Sequence, residues 1–289
     1  MPSILGVGAP WPQMRRRGRV EGIGAFPAGR ENIMARRLAI FAFGVVAYLA
    51  ALAVFAYLVA FLGDLPVASG TVDRGTGAPV GAALLVDVAL VVLFGLQHSA
   101  MARPAFKRWA RRRVPEPAER SLFVLLAALA LAGLCAFWQP LPGTVWAVPG
   151  GWPAALLAAL FWAGWLGVLG ATFLVDHFDL MGLRQVTLQL RRVPYQPPRF
   201  TEAGAYRYVR HPMMLAFLLA FWATPRMSAG HLLLALAMTG YIVTGTLLEE
   251  RDLLRVFGAR YADYRRRVPM LVPRPPAGGR DAGADEPLP

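Results

Sequence analysis

The sequence predicts an all-α integral membrane protein with about five transmembrane helices, a C-terminal helical hairpin and amphipathic helices on the cytoplasmic face. Three observations predict it. The 289 residues are 56% hydrophobic, with a mean hydropathy of +0.46, more apolar than a soluble domain. The apolar residues gather into runs long enough to cross ~30 Å of hydrocarbon. The charge is lopsided, 30 Lys and Arg against 17 Asp and Glu for a net +13, and the cations flank the apolar runs. That placement argues against a nucleic-acid partner. It follows the bias of Lys and Arg to the cytoplasmic side of a bilayer, which makes the lipid bilayer the expected partner.

Residues 1–33 carry "MRRRGRV" and scattered Gly and Pro, with no apolar core leading to a small-residue cleavage site. They are expected to form a disordered N-terminal extension and no signal peptide, with Met34 a natural start. Residues 34–273 read as one polytopic domain, and 274–289, "RPPAGGRDAGADEPLP", as a disordered tail. Within the domain, residues 38–63, 79–100, 119–138 and 153–175 are four spans. The run 212–224 is too short to cross, and 230–249 is long enough; Pro225 and Gly230 break the chain between them, so the pair predicts a hairpin.

Arg36 and Arg37 precede the first span, and Lys107, Arg108 and Arg111 to Arg113 follow the second. Arg184, Arg191, Arg192, Arg199, Arg207 and Arg210 follow the fourth, and Arg251, Arg255, Arg260 and Arg265 to Arg267 follow the hairpin. The loops 64–78 and 139–152 hold only Asp64, Asp73 and Arg74. Every basic cluster thus falls on one side, which predicts a multi-pass protein of the cytoplasmic membrane with both termini cytoplasmic. "RPAFKRWARRRV" and "FDLMGLRQVTLQLRR" mix apolar positions with cations and read as helices at the headgroups.

The groups able to do chemistry collect at the same expected depth. They are Gln97, His98 and Ser99 at the end of span two, and Asp176, His177 and Asp179 at the end of span four. Arg210 and His211 open the hairpin, and Glu249 and Glu250 close it. Ionisable residues at membrane depth mark a site, although each one alone could simply contact headgroups. A metal centre is not expected. The chain has one cysteine, Cys135, and no HxxxH, HExxH or CxxCH, and neighbouring Asp176 and His177 cannot point the same way on a helix.

The segments "YRYVRHPMM" and "LLEERDLLRVFGARYADYRRRVPMLVP" resemble the membrane methyltransferases related to isoprenylcysteine carboxyl methyltransferase and phospholipid N-methyltransferase. Over nearly all of 36–273, "FGLQHSAMARPAFKRW", "FWQPLP", "DHFDLMGLRQV", "AFWATPRMSAGHLLLA" and "LEERDL" resemble the bacterial methanethiol S-methyltransferases, in the NnrU-like branch of that superfamily. The resemblance implies S-adenosylmethionine as methyl donor, released as S-adenosylhomocysteine, methanethiol as the small thiol acceptor and dimethyl sulfide as product. Under it, Tyr206, Tyr208, Arg210, His211, Glu249, Glu250, Tyr261 and Tyr264 would bind the donor, while His98, Asp176, His177 and Asp179 would act on the thiol. His98 would take the thiol proton, directly or through Asp176. Two alternatives stay open: a haem- or redox-associated membrane protein whose histidines hold iron, and a methyltransferase acting on a prenylcysteine or a phospholipid amine.

Overall fold

The computed structural model describes residues 29–197 and 200–274; the expected tail apart from Arg274, most of the expected extension, and Arg199 lie outside them. Ten α-helices order the described chain: α1 (Gly29–Leu62), α2 (Val80–Ala102), α3 (Pro104–Ala110), α4 (Glu119–Phe137), α5 (Trp152–Val175), α6 (His177–Leu180), α7 (Leu183–Arg191), α8 (Pro212–Trp222), α9 (Ala229–Phe257) and α10 (Ala259–Arg267). Five segments, Asn32–Leu62, Val80–Ala102, Glu116–Phe137, Trp152–Val175 and Ala229–Phe257, are long and apolar enough to cross a membrane. They are the five expected spans, and the protein is an all-α membrane protein.

Why these residues form helices follows from the solvent. In hydrocarbon every backbone N–H and C=O must be satisfied within the segment, and runs rich in Leu, Ala and Phe satisfy them as helices. Pro sits within the first two helical positions of α3, α5 and α8, where its missing N–H costs nothing. Ser228 caps α9, its hydroxyl accepting from the His231 amide at 3.0 Å.

The packed centre brings together α1, α2, α4, α5, α8 and α9 through Leu58, Phe61, Leu134, Phe161, Trp165 and Leu234, all buried. Trp165 of α5 stands edge-on to Phe55, Phe217 and Phe221 at 5.3–6.2 Å. Close approach between helices uses small residues, the usual device where lipid removes the hydrophobic drive. A Cβ on Gly164 of α5 would lie 2.7 Å from the Ala220 backbone nitrogen of α8. One on Gly44 of α1 would lie 2.5 Å from a Val186 methyl of α7. The amphipathic α7 therefore docks on α1, with Val186 fully buried, in addition to presenting its polar face outward. α3 is short, with Phe106 against Trp109 at 5.4 Å and Trp109 exposed.

Two features depart from the expectation. The last long helix does not end at the acid pair: α9 runs on to Phe257, because Glu249, Glu250 and Leu253 are buried along one side and keep it helical. The loop between α4 and α5 and the break between α8 and α9 also form a small antiparallel sheet, β1 (Thr144–Ala147) with β2 (Arg226–Ser228), pairing Thr144 with Ser228, Trp146 with Met227 and Ala147 with Arg226. Strands of three and four residues leave no readable alternation in a sequence. The helices flanking β2 touch at both ends. Phe221 and Trp222 of α8 meet His231 and Thr239 of α9, and His211 at the start of α8 meets Glu249 and Glu250.

Candidate active site

The residues expected to share one depth form three groups. The first lies where α8 begins. Pro212 fixes the start of α8, and the two residues before it are held to the chain's C-terminal segment: the amides of Arg210 and His211 donate to the carbonyls of Pro269 and Met270 at 2.9 and 3.3 Å. The side chains of 210 and 211 are thereby turned onto α9. Arg210 binds Glu250 Oε1 at 2.6 Å with both side chains buried, and its guanidinium also donates to the carbonyls of Arg265 and Val268. His211 Nε2 lies 3.3 Å from the same carboxylate oxygen. Its Nδ1 is 3.9 Å from Glu249 Oε2, too long for a hydrogen bond.

Arg210 and Glu250 are thus committed to each other and to the backbone, whereas the buried Glu249 makes no hydrogen bond among the described residues. Tyr264 donates to the Tyr206 carbonyl at 2.8 Å and packs 5.9 Å from Tyr261. Burial pushes the Tyr206 phenol up to about 12, with Glu249 adding to the effect. Burial likewise raises Tyr261 and Tyr264, so all three stay protonated. The Tyr261 hydroxyl and the Thr246 hydroxyl are buried without partners. Thr246 sits one turn before Glu249 and Glu250, on the same side of α9. Tyr208 is half exposed.

The second group sits at the break between α5 and α6. Asp176 has φ +96°, a left-handed strain that a non-glycine residue rarely carries. The turn lets its Oδ1 accept from the Asp179 amide at 3.1 Å while Oδ2 takes Arg184 at 2.9 Å. Asp179 is buried between Arg184 at 3.4 Å and the Tyr195 hydroxyl at 3.2 Å. Burial raises its carboxyl, and the Tyr195 hydrogen bond and Arg184 pull it back. His177 is enclosed: it stacks on Phe173 at 4.5 Å, Nε2 meets the Tyr48 hydroxyl at 3.0 Å and Nδ1 the Thr172 hydroxyl at 2.8 Å. Burial lowers its pKa, Asp176 offsetting part of the effect. A histidine with both nitrogens occupied braces α1 against α5 and has no lone pair to offer.

The third group is His98 on α2, surrounded by Phe123 at 5.0 Å, Phe94 at 5.7 Å and Tyr241 at 6.3 Å. Its Nδ1 and the neighbouring Gln97 Oε1 are buried without hydrogen-bond partners. The expected pairing of His98 with Asp176 does not form: among the described residues no hydrogen bond joins them, because Asp176 is spent on its own turn and on Arg184. The residue that does approach is one the sequence reading passed over. Arg120, at the start of α4, donates to the Leu180 carbonyl at 2.7 Å and places its guanidinium carbon 5.2 Å over the Phe123 ring that touches His98. A lone cation at the mouth of the third span was the available signal. A second missed group, Asp87, is buried inside α2 and accepts from the Gln139 amide at 2.8 Å, which ties α2 to the chain two residues past the end of α4.

No family model matches the chain, and no solved structure matches it. Curated proteins do. Over 233 residues, 81% of this chain and 95% of the relative, it is 49% identical to methanethiol S-methyltransferase of Mycobacterium tuberculosis. Over 241 residues, 83% and 92%, it is 48% identical to methanethiol S-methyltransferase 2 of Bradyrhizobium diazoefficiens. Nurim of Xenopus laevis is 33% identical over 177 residues, 58% of this chain and 61% of nurim. With nearly half of its residues shared along almost the full length of such enzymes, the chain belongs to the methanethiol S-methyltransferase family.

Proposed function

We propose that the protein transfers a methyl group from S-adenosylmethionine to methanethiol, forming dimethyl sulfide, at the cytoplasmic face of a bacterial inner membrane. The observation that carries the reading is the division of labour among the polar groups. One end of the bundle holds a buried polar cluster with unused atoms, and a separate histidine stands among aromatic rings.

The unused atoms fit the donor. The Tyr261 and Thr246 hydroxyls are buried and, among the described residues, without hydrogen-bond partners, and the buried Glu249 carboxylate has the Nδ1 of His211 no nearer than 3.9 Å. Such groups are costly unless a ligand completes them. Glu249 would take the ammonium or ribose hydroxyls, Tyr261 and Thr246 would complete polar contacts, and Tyr208 would supply a partly exposed ring. Arg210 and Glu250 hold the frame by joining α9 to the segment 265–268, and His211 supplies the side chain that can reach a carboxylate. When bound, S-adenosylmethionine supplies an electrophilic methyl whose C–S electron pair returns to the donor sulfur as the new S–C bond forms.

The acceptor half falls to His98. Simple thiols ionise near or above ~8.5, so at neutral pH the nucleophile has to be made by removing a proton. The imidazole of His98, with a buried, unpartnered Nδ1, is the group placed to take that proton. The rings of Phe94, Phe123 and Tyr241 exclude water and suit a methyl sulfide, since thioether sulfur packs well on aromatic faces. The tyrosine that closes the site, Tyr241, accepts from Ser99 at 3.5 Å.

Purified protein given labelled S-adenosylmethionine and methanethiol is expected to release labelled dimethyl sulfide; release only with a prenylcysteine or a phospholipid amine would move the acceptor to a lipid. Reporter fusions at residues 70, 145 and 275 test the orientation. The first two are expected outside and the last inside; an external signal from the last would overturn the cytoplasmic placement of the C terminus.

A further inference from the structure

We infer that Arg120 is the cation that holds the acceptor as a thiolate beside His98. The inference rests on the thiol-methyltransferase reading and names the residue that performs its acceptor half.

The geometry supplies the argument. The Phe123 ring is shared by both groups: the imidazole of His98 lies 5.0 Å from it and the Arg120 guanidinium carbon 5.2 Å from it, so a thiol on that ring would meet both. The guanidinium is fixed by its bond to Leu180 O, so it loses little freedom on meeting an anion. Asp176 does not reach this place, since its carboxylate oxygens accept from the Asp179 amide and from Arg184. A carboxylate there would also repel a thiolate, whereas a cation stabilises it.

The surrounding charge favours an anion. Lys107 from α3, Arg111 after it, Arg184 from α7 and Arg120 itself face Glu119, Asp176 and Asp179, with Tyr195 and Tyr241 as the neighbouring phenols. Glu119 pairs with Arg111 at 2.6 Å, and Asp176 and Asp179 pair with Arg184, while Asp179 and Glu119 also act electrostatically on Arg120. The Lys107 ammonium is held below its usual range by burial and then by the charge of Arg120, with Glu119 opposing.

In the step proposed, the S–H bond of methanethiol breaks, the proton passes to His98 Nδ1 and the electron pair stays on sulfur. The resulting thiolate lies between imidazolium and guanidinium. Arg120 thus lowers the pH at which the bound thiol ionises, and that pair is the one that forms the new S–CH3 bond.

The test uses the full chain in lipid nanodiscs, with kcat/KM for methanethiol measured across thiol ionisation, roughly pH 6 to 10. Arg120→Gln is expected to lose about tenfold to a hundredfold at neutral pH, the usual cost of one charge-assisted contact. The deficit should close as pH rises and free thiolate replaces what the cation supplied. Arg120→Lys should recover most of the rate, and donor affinity by calorimetry should be unchanged in both. In the wild type, thiocyanate, a soft anion resembling a thiolate, should compete with methanethiol and not with the donor; this arm needs no variant to fold. A pH-independent ratio between Arg120→Gln and wild type, failure of Arg120→Lys to rescue, loss of donor affinity or absence of thiocyanate competition would each overturn the role of Arg120. If the wild type itself yields no dimethyl sulfide, the thiol reading falls, and Arg120 with it.

Discussion

The two ends of the helix bundle are closed in opposite ways. At the end that carries the cation-poor loops, the closure is backbone. β1 pairs with β2, the Val148 amide donates to Pro225 O and the Ala229 amide to Gly143 O at 2.8 and 3.0 Å, and Trp146 Nε1 donates to Thr224 O at 3.1 Å. A cavity of about 690 Å³ lies there between α1, α4 and the loop 69–76, with Tyr57, Arg74 and Cys135 in its wall. Its one cation, Arg74, is taken by Asp64 at 2.7 Å. At the other end the closure is made by charged side chains; both ends leave buried polar atoms unpartnered, Asp73 Oδ1 and Trp138 Nε1 at the first and Thr246 Oγ1, the Tyr261 hydroxyl and His98 Nδ1 at the second. Backbone pairing is self-completing, since each residue brings one donor and one acceptor. Side-chain pairing need not balance, and the surplus is what a ligand can use.

The sharpest way to break this comparison is to remove a surplus atom. His98→Ala is expected to lower turnover by ~10²–10⁴, the usual worth of a positioned base, with donor affinity nearly unchanged and the deficit shrinking as pH approaches the thiol's own pKa. Turnover against pH for both proteins checks it. A constant ratio would assign His98 to packing.

The two adjacent glutamates separate frame from site within one helical turn. Glu250→Ala leaves Arg210 buried without its carboxylate and is expected to cost about 3–5 kcal/mol of stability, read as a fall in the unfolding midpoint in detergent. Glu249→Gln breaks no hydrogen bond among the described residues. It is expected to leave that midpoint nearly unchanged while weakening donor binding about tenfold to a hundredfold, ~1.5–3 kcal/mol. Calorimetry on the folded variants distinguishes them; equal effects on both readouts would merge the two roles.

The smallest effect belongs to the opposite end. Trp146→Phe removes one hydrogen bond to Thr224 O, worth about 0.5–1.5 kcal/mol net. Stability should fall by that amount with kcat and donor affinity unchanged. A kinetic defect there would show that the sheet end communicates with the charged end.

How much of this was legible in the sequence depends on the range of the interaction. The five spans, the short Pro212–Trp222 helix and the family resemblance were all readable, because length, hydropathy and the order of motifs are properties of the chain itself. So was the grouping of Arg210, His211, Glu249 and Glu250, which the order of motifs suggested and the contacts display. Hidden were the strand pair, the continuation of α9 through its acids and the place of Arg120.

The sequence by itself determined that this chain enters a membrane, which five segments are long and apolar enough to cross it, and which polar residue types stand at their ends. Only the tertiary structure decided which of them are spent. Arg210 and Glu250 are consumed by each other, His177 by Tyr48 and Thr172, and Asp176 by a strained turn and Arg184, leaving Glu249, Tyr261, Thr246 and His98 with groups to offer. The physical reason is that hydropathy is summed along the chain, whereas a hydrogen bond is satisfied or left open by atoms from distant helices whose positions no local pattern specifies.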